Sequence, residues 1–551
     1  MDVGARYDAD QGLNQKRTRS VFALGALAGL AALGFNFLLR LGGIAAFPPE
    51  SALSAFLRVI PASLEEPMVQ QFGDFAGVIG LVSATAVAAL IYGFAALAFD
   101  RYGAEKAASV GLRPFEGLVL IGLVPWLLFG LALFPLDGDA AFGVGSPYAA
   151  ASTVWAFPFT LLLAQGIFAW ALSLSYHPPA AERIPTQVSA QAGGMARREF
   201  IEKGAIGALA LAGGAIGLSG LEQLLAPAPA PGGGGGAIDL VDAPAIFRDP
   251  RLTGLVDSEV TPNADFYRVA VDIIDPAVDA TNWSLAVDGL VNAPKTYALQ
   301  DIQSFPEADQ YTTFECVSNK VNGNLIGNAR WGGVRISDIL ANAGGVQSGA
   351  NYVVFYSVDG YSVGIPLAKA MMPDSLLAFS MNGQTLPVKH GYPLRGVIPG
   401  LYGMMSAKWV NRVSVIGSAY DGYWQTRGWT NNASIYTETF IVIPGAATVS
   451  LSRNQGSVLV AGYAFAGDRG VSEVEVSFDN GTTWQPTELK KPLSNLTWAL
   501  WAYDWRPSAA GEYGIIARAT DGAGDVQTSS VAGSFPNGAT GYAAVTVLVT
   551  D

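Results

Sequence analysis

The 551-residue sequence contains one cysteine, Cys316, and two histidines, His177 and His390. A single thiol excludes an internal disulfide framework, a cysteine-rich zinc site, an iron–sulfur cluster and a CxxCH haem attachment. The two histidines leave no pair of axial ligands for a haem among the apolar segments. A redox function would therefore need an organic or organometallic group that takes at most one thiolate. Basic residues are also scarce beyond position 236, where 19 stand against 29 acidic ones and give about −10 at neutral pH. That balance repels nucleic acid and favours a basic protein partner.

Apolar residues make up 50% of the chain, and their long runs fall in the first 225 positions. Residues 21–39, 75–99, 118–134 and 154–174 are each long and apolar enough to cross a bilayer, and 204–225 is a weaker, Gly- and Ala-rich fifth segment. Lys16, Arg17 and Arg19 precede the first, Arg101, Lys106 and Arg113 separate the second from the third, and Arg183, Arg197 and Arg198 follow the fourth. These are the cytoplasmic sides. The other loops carry Asp137 and Asp139 without a basic residue, and Arg40 and Arg58 against Glu50, Glu65, Glu66 and Asp74. The sequence thus predicts an N-terminus inside and everything beyond the fifth span outside the cytoplasmic membrane.

Arg197-Arg198-Glu199-Phe200-Ile201 opens that fifth span and resembles a twin-arginine export signal, although a pair of arginines also serves the positive-inside rule. The Ala/Pro alternation of 226–231 and the glycine run of 232–236 make a stiff spacer followed by a swivel. The expected order is therefore a four-helix transmembrane region with a cytoplasmic tail (1–203), a fifth helix (204–225), a linker (226–236), a mixed strand-and-helix domain (237–436) and an all-strand domain (437–551).

The last domain reads as an immunoglobulin-like β-sandwich. In 471–478 Val471, Val474, Val476 and Phe478 alternate with polar residues, and Asp479-Asn480-Gly481 and Asp521-Gly522 make turns. Trp484, Trp498, Trp501 and Trp505 supply apolar area for its core. Gly360-Tyr361-Ser362-Val363-Gly364 matches the nucleophile elbow of serine hydrolases. However, 352–358, the Asp359-Gly360 turn and 361–366 read as a hairpin instead of strand, turn and helix. A membrane-tethered, non-catalytic binding module is a further alternative, but it leaves Cys316 and its flanks without a role.

Phe314-Glu315-Cys316-Val317-Ser318-Asn319, continued by 323–334, resembles the molybdenum-cysteine segment of the sulfite oxidase family. So do Thr261-Pro262-Asn263-Ala264-Asp265-Phe266-Tyr267-Arg268, His390-Gly391-Tyr392-Pro393-Leu394-Arg395, 399–403 and Ser406-Ala407-Lys408-Trp409. The resemblance covers residues 255–551, and its several motifs stand in the family's order. It implies an α+β molybdopterin domain, a dimerisation-type C-terminal domain and a molybdenum-molybdopterin cofactor held by Cys316, the metal ligand.

By the same resemblance, Arg395 and Lys408 hold the pterin phosphate, with Ser406 and Ala407 giving backbone contacts. His390 donates to the pterin, Asn263, Phe266 and Tyr267 line its other side, and Ser357 or Asp359 reach its ring nitrogens. Arg268 joins Cys316 as a catalytic residue, and Trp424, Gln425 and Arg427 lie at the pocket edge. Sulfite-oxidising relatives carry a basic residue five positions after the cysteine, where this chain has Val321. The implied activity is oxygen-atom transfer on sulfite or a small S- or N-oxide. The implied partners are an external electron-transfer protein, c-type cytochrome or quinone-linked, the lipid bilayer and the twin-arginine export machinery, and the C-terminal domain admits a homodimer.

Overall fold

The computed structural model describes residues 3–41, 47–59, 74–103, 127, 128, 131, 156–173, 240 and 242–550, the last without 272–274, 277, 446, 447 and 452–455. The chain divides into two compact units, Met1–Ile60 with Phe75–Ala226 and Pro61–Asp74 with Pro227–Asp551.

In the first unit, helices run over Val3–Leu41, Pro48–Val59, Asp74–Ala98 and Ala156–Ser173. Among the described residues two stretches are long and apolar enough to cross a membrane, Arg17–Leu38 and Ile79–Tyr102, each with mean hydropathy 2.0. They overlap the first two expected spans, and Ala156–Ser173 falls within the fourth. The third span lies outside the described residues except for Leu127, Leu128 and Leu131. The fifth span, the Arg197-Arg198 pair and the 226–236 linker lie wholly outside them.

The helices meet at small residues. A Cβ on Gly25 would stand 3.0 Å from the Tyr92 carbonyl oxygen and 3.1 Å from the Gly93 Cα, so the first and third helices cross backbone to backbone there. Phe22 meets Phe94 edge-on at 5.1 Å, Tyr92 meets Phe168 at 4.8 Å, and Arg17 pairs with Asp100 at 2.7 Å. The short helix Pro48–Val59 was not anticipated. Its two leading prolines sit where no helical N–H is needed, and the Phe47 carbonyl accepts from Glu50 and Ser51.

The second unit begins its sheets at Ser284. One sheet runs Lys295–Ala298, Ser284–Gly289, Val410–Ile416, Tyr352–Ser357 and Ser362–Pro366, with only the Ser284–Gly289/Val410–Ile416 pairing parallel. Leu285, Val287, Val413 and Val415 alternate inward, as a sheet with one face on the core requires. A second sheet runs Ala308–Glu315, Ile326–Arg335, Leu376–Met381 and Gln384–Thr385, and Arg395–Val397 also pairs with Leu376–Met381. Cys316 is the first residue beyond the edge strand of this sheet, and Arg395 opens its last strand.

Two further sheets follow. One contains Glu438–Ile443, Val458–Phe465, Ala499–Trp505 and Glu488–Leu489, the other Thr448–Ser450, Ala543–Thr550, Gly511–Asp521, Val471–Ser477 and Gln485–Pro486. They close on a shared core that includes Val458, Val460, Trp501 and Trp505 from the first and Val474, Val476, Ile515 and Val547 from the second. The first sheet is buried on both faces. Leu459, Ala461 and Phe465 point away from this core into the large core of the preceding sheets, which makes 458–465 nearly continuous in apolar residues. Trp498 points the same way, so of the four tryptophans only Trp501 and Trp505 enter the sandwich core, while Trp484 packs on Tyr542.

This arrangement clamps the edge strand Ala308–Glu315. Thr313 N–H donates to the Leu496 carbonyl at 3.0 Å, Trp498 N–H donates to Thr313 Oγ1 at 3.0 Å, and Ser494 Oγ donates to the Tyr311 carbonyl at 2.9 Å. A buried Lys490–Glu259 ion pair at 2.9 Å ties the upstream segment to the same surface.

Candidate active site

Where the edge strand ends, the chain turns into a tight loop. Cys316 N–H donates to the Leu325 carbonyl (2.9 Å), Asn319 N–H to the Cys316 carbonyl (2.9 Å), and Leu325 N–H to Asn319 Oδ1 (3.0 Å). Asn319 Nδ2 in turn donates to Glu315 Oε1 at 2.9 Å. The loop thus fixes the backbone on both sides of the cysteine. Cys316 is buried, with Sγ 3.1 Å from Ser318 Oγ, and burial pushes its thiol above the ordinary range while Ser318 opposes the shift. A stable thiolate here calls for a bound cation.

The apex of the loop faces away from Cys316. Val321 packs on the C-terminal sandwich core, and Asn322, at φ +59°, accepts from Ile441 N–H at 2.7 Å. Lys320 is exposed. A basic side chain at 321 would therefore enter an apolar interface and not the cavity. Val321→Arg is expected to lower stability by about 1–3 kcal/mol in denaturant titration and to bring no gain in sulfite turnover.

Behind the cysteine, Glu315 and Glu438 share a buried contact. Burial pushes Glu315 up to about 7 against Asn319 and Glu438, and burial beside Glu315 raises Glu438 well above the carboxylate range. The pair therefore keeps a proton near neutrality.

Cys316 opens onto a cavity that also takes Phe266, Tyr267, Arg268, Asp359, His390, Arg395, Ser406, Ala407 and Lys408. Ten of the twelve residues assigned to the cofactor or to catalysis in the sequence thus converge. Arg395 is buried with its guanidinium over Phe314 and Trp331, 4.8 and 4.7 Å from the ring centroids. It donates to the His390 carbonyl at 2.9 Å and, more weakly, to the Ser406 carbonyl at 3.5 Å, and desolvation brings it down to about 10. Lys408 Nζ lies 4.2 Å from the Trp409 ring and 3.4 Å from the Lys389 carbonyl. Burial, then Arg268, push Lys408 down to about 7.

Gly391 explains why the two cations come together. At φ +114° its missing Cβ would lie 3.0 Å from the Cβ atoms of both Arg395 and Lys408, so only glycine lets the turn pass between them. Trp409, a bulky residue at φ +51°, follows directly and donates Nε1–H to the Val388 carbonyl at 2.8 Å. A large side chain held in the left-handed region marks strain maintained beside a site.

His390 Nε2 lies 2.8 Å from the Asn263 carbonyl. A carbonyl only accepts, so Nε2 carries the proton. Burial lowers the ring to about 3, which keeps it neutral. It therefore presents Nδ1 as an acceptor, in place of the donor the resemblance implies. Burial also raises Asp359 to about 6, against Tyr361 N–H and Lys408, and Tyr267 far above the phenol range.

Asn263 and Ser357 do not line the cavity. The Asn263 amide is spent on the Met381 carbonyl, Gln384 and Asn382, and Ser357 is buried with its hydroxyl unpartnered among the described residues. Trp424 lines the cavity, whereas Gln425 turns to Met405 and Thr430 and Arg427 stacks 3.5 Å over Tyr423. Sequence reasoning passed over Val317, Tyr361, Met404 and Trp429, which also line it. Core residues of this kind give no local signal, though Tyr361 was visible as the residue after the Asp359-Gly360 turn. Ser362 stands on a hairpin strand with Oγ 2.9 Å from the Tyr420 hydroxyl, and a strand, turn and helix elbow is not formed there.

A buried guanidinium and a half-buried ammonium without a carboxylate ion pair among the described residues, beside a buried thiol in one cavity, suit a large anionic cofactor held by one sulfur ligand. Molybdopterin, with a phosphate for Arg395 and Lys408 and a metal for Cys316, fits that donor set. The fold and site thus have the donors of a protein that binds a large anionic, metal-bearing cofactor.

Residues 272–424 match the family model of the oxidoreductase molybdopterin binding domain and residues 423–535 that of the Mo-co oxidoreductase dimerisation domain. Mitochondrial sulfite oxidase of Rattus norvegicus is 32% identical over 322 residues, covering 50% of this chain and 59% of the relative. Sulfite oxidase of Arabidopsis thaliana is 31% identical over 338 residues, covering 51% of this chain and 86% of the relative. The solved sulfane dehydrogenase SoxCD of Paracoccus pantotrophus aligns at 24% identity and TM-score 0.44, covering 49% of this chain and 75% of that one. The chain belongs to the sulfite oxidase family of molybdopterin oxidoreductases. It spans 59% of the length of the rat relative.

Proposed function

We propose that this chain is a molybdenum-cofactor oxidoreductase, anchored in the cytoplasmic membrane by its N-terminal helices, that transfers an oxygen atom to or from a small sulfur or nitrogen compound on the outer face. The observation that carries this reading is the Cys316 thiol sharing one cavity with the buried Arg395 and the half-buried Lys408, neither of them ion-paired to a carboxylate among the described residues. When bound, the cofactor supplies two-electron oxygen-atom chemistry and single-electron exchange with a partner.

The chain's own residues bind and orient. Arg395 and Lys408 neutralise the phosphate, the Ser406–Ala407 backbone gives fixed polar contacts, and Phe266 with Tyr267, stacked at 5.4 Å, forms an apolar wall. His390 Nδ1 accepts a proton-bearing ring nitrogen. The loop closed by Asn319 holds the cysteine at one geometry, and burial excludes water from its sulfur. The C-terminal two-sheet domain is read as immunoglobulin-like and, with its match to a dimerisation domain, as the seat of a homodimer. Electrons leave or arrive through an external protein, c-type cytochrome or quinone-linked. The acidic balance of the soluble part favours a basic one.

The test is molybdenum and pterin analysis of the purified full chain with a redox-dye screen against sulfite and small S- and N-oxides. Metal with turnover supports the reading. A metal-free protein of native fold from molybdenum-replete cells favours the tethered binding module.

Export follows from the cofactor. Its ligands reach from Phe266 to Lys408, so the domain has to fold around it before leaving the compartment where it is loaded. Arg197→Lys with Arg198→Lys keeps the charge and is expected to leave the soluble domain protected from protease in spheroplasts. Cleavage at the wild-type rate would reduce the pair to a topology signal.

A further inference from the structure

Three cations line the cavity, and Arg268 and Asp275 both act on Lys408. Arg395 and Lys408 are the two assigned to the cofactor. The other cation among the lining residues, Arg268, keeps 15% of its side chain exposed, and its Nε and Nη2 both donate to Asp275 Oδ1, at 3.0 and 2.6 Å. Asp275 is 21% exposed. An ion pair of this kind, with both donors on one oxygen, carries no net charge and leaves an incoming anion to face a carboxylate beside the guanidinium.

The lining residues that follow Arg268 in the chain, Val269, Ala270 and Val271, are apolar, and Trp424 and Trp429 add indole surface to the same cavity. An inorganic oxyanion would shed its hydration against hydrocarbon and indole without a free cation in return. A neutral molecule with an apolar body and one polar oxygen or lone pair would bury that body at no such cost.

We propose that Asp275 sets the substrate class: by neutralising Arg268 at this apolar wall, it turns the cavity toward uncharged organic sulfur or nitrogen compounds and away from inorganic oxyanions. This rests on the oxygen-atom-transfer reading above and narrows its substrate. In the reductive direction the S–O bond of a sulfoxide breaks, two electrons come from two reduced viologen radicals, and two protons complete a thioether and one water. In the oxidative direction the substrate sulfur gains an oxygen from water, two protons are released, and two ferricyanide ions take one electron each.

The probes are methyl phenyl sulfoxide with reduced methyl viologen and sulfite with ferricyanide, on the molybdenum-loaded full chain in detergent. Wild type is expected to show a kcat/KM for the sulfoxide at least about tenfold above that for sulfite. Asp275→Asn is expected to move the ratio toward sulfite by roughly tenfold, mainly through the KM for sulfite, as removing one unit charge near an anion requires. Asp275→Glu is expected to move it back, which a merely structural role would not produce. Wild type that turns over sulfite at least as well as the sulfoxide overturns the inference and leaves the oxygen-atom-transfer reading intact. An unmoved ratio in a folded Asp275→Asn also overturns it. Turnover of neither probe by loaded wild type removes that reading and the inference with it. If Asp275→Asn does not fold, the wild-type ratio decides by itself.

Discussion

Cys316→Ser is expected to abolish molybdenum-dependent turnover, a loss well beyond the roughly 10–100-fold typical of removing an outer-shell partner of a metal site. The fold should survive. Serine is nearly isosteric, and the loop around position 316 is tied by backbone contacts to Leu325 and Asn319 that the side chain does not make. The new hydroxyl has Ser318 Oγ within reach, since Sγ already lies 3.1 Å from it. What disappears is the soft ligand, because an alkoxide at this buried position would need far more stabilisation than a thiolate. Dye-linked assay beside circular dichroism and denaturant titration separates the two effects. Turnover retained in a folded Cys316→Ser protein would refute the ligand assignment.

Arg395→Met is expected to move two measurements in opposite directions. The arginine is a buried cation stacked over Phe314 and Trp331, with no carboxylate ion pair among the described residues, and its lowered pKa, about 10, reflects desolvation. Methionine fills a similar volume against the same rings without charge. The cofactor-free variant should therefore be more stable than the cofactor-free wild type, by about 1 kcal/mol or more, as when buried charges give way to packed apolar side chains. Cofactor affinity should fall by about a hundredfold, since charge-assisted hydrogen bonds contribute roughly 1.5–3 kcal/mol. Thermal melts of both forms, with pterin retained after gel filtration, report both signs. A variant that loses stability in the free form and keeps its cofactor would make Arg395 structural.

The motifs were legible because they are local and because the family keeps their order. Cys316, Arg395, Lys408 and the segment Phe266–Arg268 could be read from short runs, and the hairpin around Gly360 from its turn chemistry, confirmed by φ +77° at that glycine. Burial on both faces of a strand was not legible. Trp498 sits one residue before Ala499–Trp505 and reads as sandwich core, yet it packs against the preceding domain and donates Nε1–H to the Glu259 carbonyl. Val321 shows the same limit in reverse. By the resemblance it stands where sulfite-oxidising relatives carry a basic residue, and only the docking of the loop on the C-terminal core shows that its side chain packs there. The proton position on His390 also depends on a partner 127 residues away, the Asn263 carbonyl. Asp275 lay outside every motif, and only the folded geometry brings it onto Arg268.

The central claim is that Cys316 binds molybdenum in a cavity whose cations hold the pterin. X-ray absorption at the molybdenum edge on the purified full chain and on Cys316→Ser counts sulfur neighbours of the metal directly. Wild type is predicted to show one sulfur neighbour more than the variant, the Cys316 thiolate beyond those of the pterin itself. An equal sulfur count in the two proteins, or wild type without molybdenum from molybdenum-replete cells, would contradict it.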